Sequence, residues 1–261
     1  MLFRSVSYFK INREERNLCA ILFHTLLIDN NLNLFLKKIG CNFQINDSEK
    51  SIYLEYAFIR DIWENIRTKY GIFEGNIIKK KIILDILNLS NTAELEEMSI
   101  SDFNNFFVQS NNRTPSSNEI ESPGNWNIEQ FAGKIENKDE FLKICKFKWS
   151  FNAKPDLVIN TSNNQAICIE GKYKSGEGIY PTKKIEKEIF QSKNLEYVGQ
   201  LSIQQEIMTL LNIEAKYILL ANGNIYSKTH DTYTWKEIFD VLDTSRCPTF
   251  IREWLKRDDI N

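Results

Sequence analysis

The chain has 261 residues, of which 42% are hydrophobic and 26% charged, with a formal net charge of −2. That is an ordinary globular composition for one large or two small domains, and it excludes a protein that coats nucleic acid through bulk charge while leaving room for a local basic groove. Five scattered cysteines without a CxxC pair, and only His24 and His230 as imidazoles, argue against a structural zinc site or a disulfide framework and fit a reducing cytoplasm.

The segment MLFRSVSYFKINREER lacks a secretory h-region, and no apolar run approaches membrane-span length, so no membrane partner is expected. Residues 13–39 predict one or two helices with a break at Asp29-Asn30-Asn31. Apolar spacing from Ile52 to Ile66 predicts a helix over 49–69, stopped by Gly71. Further helices are expected over Ile77–Leu89 and Ala93–Phe107, the latter broken near Ser99–Ser101. With no strand expected before residue 110, residues 1–110 read as a helical region for sensing, docking or dimerisation. His24, inside an apolar stretch, reads as a hydrogen-bonded core or interface residue, and His230 carries no assigned role.

QSNNRTPSSNEIESPGN is rich in Ser, Asn, Pro and Gly, and makes 111–125 the expected linker or mobile loop. Ile128, Phe131, Ala132 and Ile135 then suit a short helix. The alternation of Cys145, Phe147, Trp149 and Phe151 with polar residues predicts a strand. Pro155–Asn160 and Gln165–Lys172 predict two more strands. A basic loop follows, then a two-part helix over 184–212, a buried strand at Ala215–Ala221, and helices at Trp235–Leu242 and Phe250–Lys256. From Lys134 to Lys193 there are 12 lysines against 8 acidic residues, either a solvated lysine-rich surface or a basic groove.

The segment KPDLVINTSNNQAICIEGK, residues 154–172, carries the chemistry. As a β-hairpin centred near Asn163 it places Asp156 opposite Glu170, and opposed side chains on neighbouring strands lie about 4.5–5.5 Å apart at Cβ. Two carboxylates that close repel unless a cation separates them. Lys172, two residues after Glu170, points to the same face. No GxxxxGK[ST], HExxH, GxSxG or GxGxxG motif is present.

Pro155-Asp156 followed by Glu170-x-Lys172 resembles the motif of the PD-(D/E)xK nuclease superfamily. The resemblance implies an α+β or α/β fold with a restriction-endonuclease-like core, a central mixed sheet flanked by helices, occupying residues 126–261. It implies Mg²⁺, with Mn²⁺ able to substitute, held by Asp156, Glu170 and the backbone carbonyl of Gly171. Lys172 then orients or activates the attacking water, with a pKa that a nearby metal would depress. Glu129 is the first candidate for a further acid on the helix before the hairpin, with Glu119 and Glu15 as rivals. Gln200 and Gln204 share a face of the next helix with Tyr197 and resemble the glutamines of RecB-type exonucleases. Lys174, Lys183, Lys184 and Tyr173, with Tyr180 nearby, are candidates for gripping phosphates and stacking on bases.

The function so implied is a cytoplasmic metal-dependent nuclease acting on DNA, an endonuclease rather than an exonuclease, suited to prokaryotic restriction or anti-phage defence. A homodimer or a protein partner would use the helical N-terminal region. The alternatives are a nuclease-like subunit that binds nucleic acid or assembles a complex without cutting, and an interaction protein in which the hairpin is coincidence.

Overall fold

The computed structural model describes residues 15–45, 51–108, 114–161, 164–173, 176–223 and 226–256. It is a mixed α+β structure that divides into two compact units. The first comprises the described residues of Met1–Tyr56, Pro155–Glu177 and Leu211–Asn261, and the second those of Ala57–Lys154 and Gly178–Leu210. Each unit is therefore built from separated stretches of chain, and the expected division at 110 and 125 does not hold. The N-terminal helices share a unit with the sheet rather than forming a region of their own.

The first unit opens with α1 (Glu15–Leu26) and α2 (Asn31–Lys38), followed by β1 (Ile52–Leu54). Its sheet is completed by β2 (Leu157–Asn160), β3 (Gln165–Gly171), β6 (Glu214–Ala221) and β7 (Asp231–Thr234), in the order β1-β2-β3-β6-β7. The β1–β2 and β2–β3 pairs are antiparallel, whereas β3–β6 and β6–β7 are parallel. Two further helices, α10 (Trp235–Phe239) and α11 (Thr249–Leu255), follow β7. Leu18 and Leu22 of α1, Ile167 and Ile169 of β3, and Trp235 and Ile238 of α10 belong to one hydrophobic core on one sheet face.

β1 corrects the expectation of an uninterrupted helix over 49–69. Its Ile-Tyr-Leu sequence suits a strand, it pairs with β2, and Glu55 leaves it in the left-handed region at φ 49°. The helix begins only at Phe58.

The second unit contains α3 (Phe58–Leu87), kinked at Gly71 with φ 71° and ψ −172°, then α4 (Thr92–Glu97), α5 (Ile100–Phe107), α6 (Ile128–Ala132) and α7 (Lys138–Ser150). After residue 178 it adds β4 (Ile179–Tyr180), α8 (Lys184–Ser192), β5 (Val198–Gly199) and α9 (Gln200–Leu210), with β4 and β5 paired antiparallel. α7 overturns the expected strand at 145–151. Asn137 accepts hydrogen bonds from the N–H groups of Asp139 and Glu140, and those two acids favour the positive helix start. Phe141, Ile144, Cys145, Phe147 and Trp149 are all buried, so the helix hides most of its circumference and the sequence mimics alternation.

The expected linker is also corrected where it is described. Buried Asn104 donates to the carbonyls of Ser116 and Glu119 and accepts from the Glu121 N–H, while Asn76 accepts from the Ile120 N–H. Residues 114–122 are thus pegged to their unit at several backbone groups.

Candidate active site

The β2–β3 ladder pairs Leu157 with Ile169 and Asn160 with Ala166. Continued by one residue, this register opposes Asp156 and Glu170, as the hairpin spacing predicts. The ladder's last step is replaced by a side chain: Oδ2 of Asp156 accepts the Gly171 N–H at 2.8 Å. In an extended strand the N–H and C=O of one residue point to the same edge, so the Gly171 carbonyl also faces the Asp156 side.

Glu170 is 1% exposed and Lys172 7%. Their Oε1 and Nζ lie 2.7 Å apart in a buried ion pair. The backbone of Lys172 is fixed at both ends of its peptide unit, its N–H donating to the Leu220 carbonyl at 2.7 Å and its C=O accepting from Trp235 Nε1 at 2.9 Å. At Tyr173 the N–H donates to Glu15 Oε1 at 3.0 Å, and the carbonyl accepts from Asn222 Nδ2 at 3.1 Å.

Glu15 thereby enters the site from α1. Glu55 enters from the end of β1, its N–H bonded to the Asp156 carbonyl at 2.9 Å and its carboxylate 3.3 Å from Arg16 Nε. Arg16, Cys19, Leu54, Glu55 and Asp156 line a cavity of about 270 Å³. Burial pushes the Asp156 carboxyl above its ordinary pKa; the Gly171 N–H and Lys172 oppose this, and the charges of Glu15 and Glu55 add to it. Burial would lower the Lys172 pKa, but Glu170, Glu15 and Asp156 outweigh it and hold the ammonium above its ordinary value. Three carboxylates thus act on this lysine. The Cys19 thiol is pushed well up, chiefly by burial and then by Asp156, Glu170 and Glu15, so it stays protonated at the cavity floor.

Four acids (Glu15, Glu55, Asp156 and Glu170) thus gather with two cations, Arg16 and Lys172. This donor set suits a hard divalent cation, which prefers carboxylate and carbonyl oxygens. As the side chains stand, Asp156 is turned to Gly171 and Glu170 to Lys172, and no three His, Cys, Asp or Glu side chains converge as a ligand group among the described residues.

Glu129 is exposed on α6 of the second unit, and Glu119 of that unit pairs with Arg67 at 3.2 Å. Of the three acids weighed, Glu15 is the one that belongs to the unit of Asp156. Gln200 and Gln204 lie on α9 of the second unit, Gln204 fully buried. Lys183 and Lys184 are exposed at the start of α8, near Glu186 (3.5 Å) and Glu188 (3.9 Å). Tyr173 is buried in the core of the first unit, which removes it as a stacking surface for bases. Lys174 lies outside the described residues. Glu55 and Arg16 were missed by sequence reasoning; the alternation Ile52-Tyr53-Leu54 was their signal, since it marks a strand ending beside Asp156.

No protein-family model, curated protein or solved structure matches this chain. Among the described residues no single helix is long and apolar enough to cross a membrane; α1 and α2 reach that length only together and are bent by 116°.

Proposed function

We propose that this chain is a divalent-metal-dependent nuclease with a restriction-endonuclease-like, PD-(D/E)xK core, hydrolysing phosphodiester bonds of DNA. The observation that carries the reading is the hairpin register, which opposes Asp156 and Glu170 and puts Lys172 on the face of Glu170. Strand order supports it. A helix, α1, precedes three antiparallel strands, β1 to β3, and a fourth strand, β6, runs parallel to β3. That is similar to the superfamily core, with the second unit's residues inserted after β1 and after β3.

Asp156, Glu170 and the Gly171 carbonyl would hold Mg²⁺ or Mn²⁺, which supplies charge neutralisation at the scissile phosphate and a more acidic water. Glu15 adds negative charge from α1. Lys172, released from Glu170, would orient or activate the attacking water and stabilise charge building on the phosphate. Until a cation arrives, the Glu170–Lys172 pair keeps two buried charges neutralised. Cutting DNA in this way suits restriction or anti-phage defence.

That same pair favours a second reading, a nuclease-like subunit that binds nucleic acid or a protein partner without cutting, because it satisfies Glu170 with no metal. Cleavage separates the two. Linear and circular duplex DNA, single-stranded DNA and RNA are incubated with Mg²⁺, Mn²⁺ or EDTA. Metal-dependent cutting by wild type, lost in Asp156→Ala and Lys172→Ala, is expected; folded wild type that cuts nothing would leave the binding reading.

A further inference from the structure

On a straight α-helix, residues as distant in sequence as Trp63 and Lys79 stand about 24 Å apart, yet Lys79 Nζ lies 5.1 Å from the centroid of the Trp63 ring. α3 therefore folds back at Gly71, and its two halves pack closely at Gly75, where an added Cβ would lie 3.8 Å from Arg67 Cα and from Ile66. One turn further along each half come Lys79 and Trp63. The folded helix and the segment that Asn76 and Asn104 peg to this unit border a cavity of about 180 Å³. Lys79 lines this cavity and is 4% exposed. Burial lowers its pKa; the charges of Glu119 and Glu64 oppose this, and Arg67 adds to it.

A lysine ammonium carries three donors, and burying it without an acceptor is costly. Among the described residues the Lys79 side chain has the Trp63 ring but no hydrogen bond and no ion pair. Other charges around the cavity are committed: Arg67 Nε pairs with Glu119 Oε1 at 3.2 Å, and the Glu121 carboxylate accepts the Ser116 N–H at 3.2 Å. Glu64 also lines the cavity, is exposed, and has no ion pair among the described residues, although it is near enough to act on the charge of Lys79. One ammonium and one carboxylate thus border a single cavity without pairing. A plain anion would suit Lys79 but be repelled by Glu64, Glu119 and Glu121, whereas a molecule that carries both charges satisfies both ends. Trp63 and Ile120 supply a buried apolar wall, and the volume lies below that of drug-sized sites, so the side chain of the ligand is small and apolar. We propose that this cavity binds a free aliphatic α-amino acid, its carboxylate on Lys79 and its ammonium on Glu64. The inference goes beyond the nuclease reading and does not depend on it, since Asp156, Glu170, Gly171 and Lys172 belong to the first unit.

The test is calorimetric titration of the full chain with L-alanine, L-valine and L-leucine, beside acetate, inorganic phosphate and methylammonium at matched ionic strength. At least one of the amino acids should bind with a Kd near or below about 1 mM, and at least about tenfold more tightly than acetate, phosphate or methylammonium. Lys79→Met removes the ammonium and keeps an unbranched stem, while Glu64→Gln changes an exposed side chain and leaves the fold intact. Each should weaken amino-acid binding at least about tenfold. The selectivity should also split: Lys79→Met should bind the amino acid no better than methylammonium, and Glu64→Gln no better than acetate, a pattern that a general loosening of the cavity would not produce. No binding of any of the amino acids by folded wild type, acetate or phosphate bound as tightly as the amino acids, or Glu64→Gln binding them as wild type does, would overturn the inference.

Discussion

Gly171 donates its backbone N–H to the carboxylate of Asp156 at 2.8 Å, one step beyond the last backbone pair of the β2–β3 ladder. The hairpin is thus closed at its open end by the residue proposed to bind a cation. A metal that draws Asp156 away breaks one hydrogen bond and relieves a carboxylate whose charge burial disfavours. A side chain proposed to hold the cation thus holds the hairpin end shut.

Gly171 admits no side chain. A Cβ there would lie 2.7 Å from Cys19 Sγ and 2.9 Å from the Trp235 ring. Gly171→Ala should destabilise the chain by about 1–3 kcal/mol through overpacking. Urea denaturation checks it, and adding Cys19→Ala should return part of the loss, because it removes the nearer of the two obstacles.

Breaking the Glu170–Lys172 pair from one side deprives a buried charge of its 2.7 Å partner. Glu170→Gln and Lys172→Met should each cost about 3–5 kcal/mol, and the double variant less than their sum. A double-mutant cycle by denaturation reads the coupling; strict additivity would mean that the two side chains do not depend on each other.

Trp235 should act on Lys172 through its backbone. Trp235→Phe removes the indole donor to the Lys172 carbonyl and leaves that buried carbonyl short of a partner, at a cost of about 1–3 kcal/mol. If Trp235 positions the lysine, kcat falls while KM for the DNA substrate stays within about twofold; an unchanged kcat in folded protein would deny it that role.

Outside the site, burial lowers the His230 pKa from 6.5 to about 4, against weaker opposing effects from Thr229 and Asp231. A base with a depressed folded pKa contributes stability that is present above the unfolded value and lost as pH falls through the folded one. The melting temperature of wild type should therefore drop between pH 6.5 and about 4 more steeply than that of His230→Gln. Parallel curves would mean that this imidazole titrates normally.

The hairpin was legible because its information is local. Two apolar runs, an Asn-rich turn and two equally spaced acids specify a register without reference to the rest of the chain. The buried strand at Ala215–Ala221 was legible for the same reason. β1 was not, since three residues become a strand only through pairing with Leu157–Ile159, about a hundred residues later. Once β1 was read as helix, the first unit lost its third antiparallel strand, and residues 145–151 took its place. Glu15 stayed one rival among three because helix periodicity tells which face is apolar, not which strand end a helix approaches. The second unit breaks into the sheet's sequence twice, at Ala57 and at Gly178.

Asp156 and Glu170 are proposed to act together as a cation site. Calorimetric titration of Mn²⁺ into wild type, Asp156→Asn and Glu170→Gln tests this most directly. Saturable binding by wild type, weakened at least about tenfold in each variant, is the predicted result. No binding by folded wild type, or equal binding by all three chains, would contradict it.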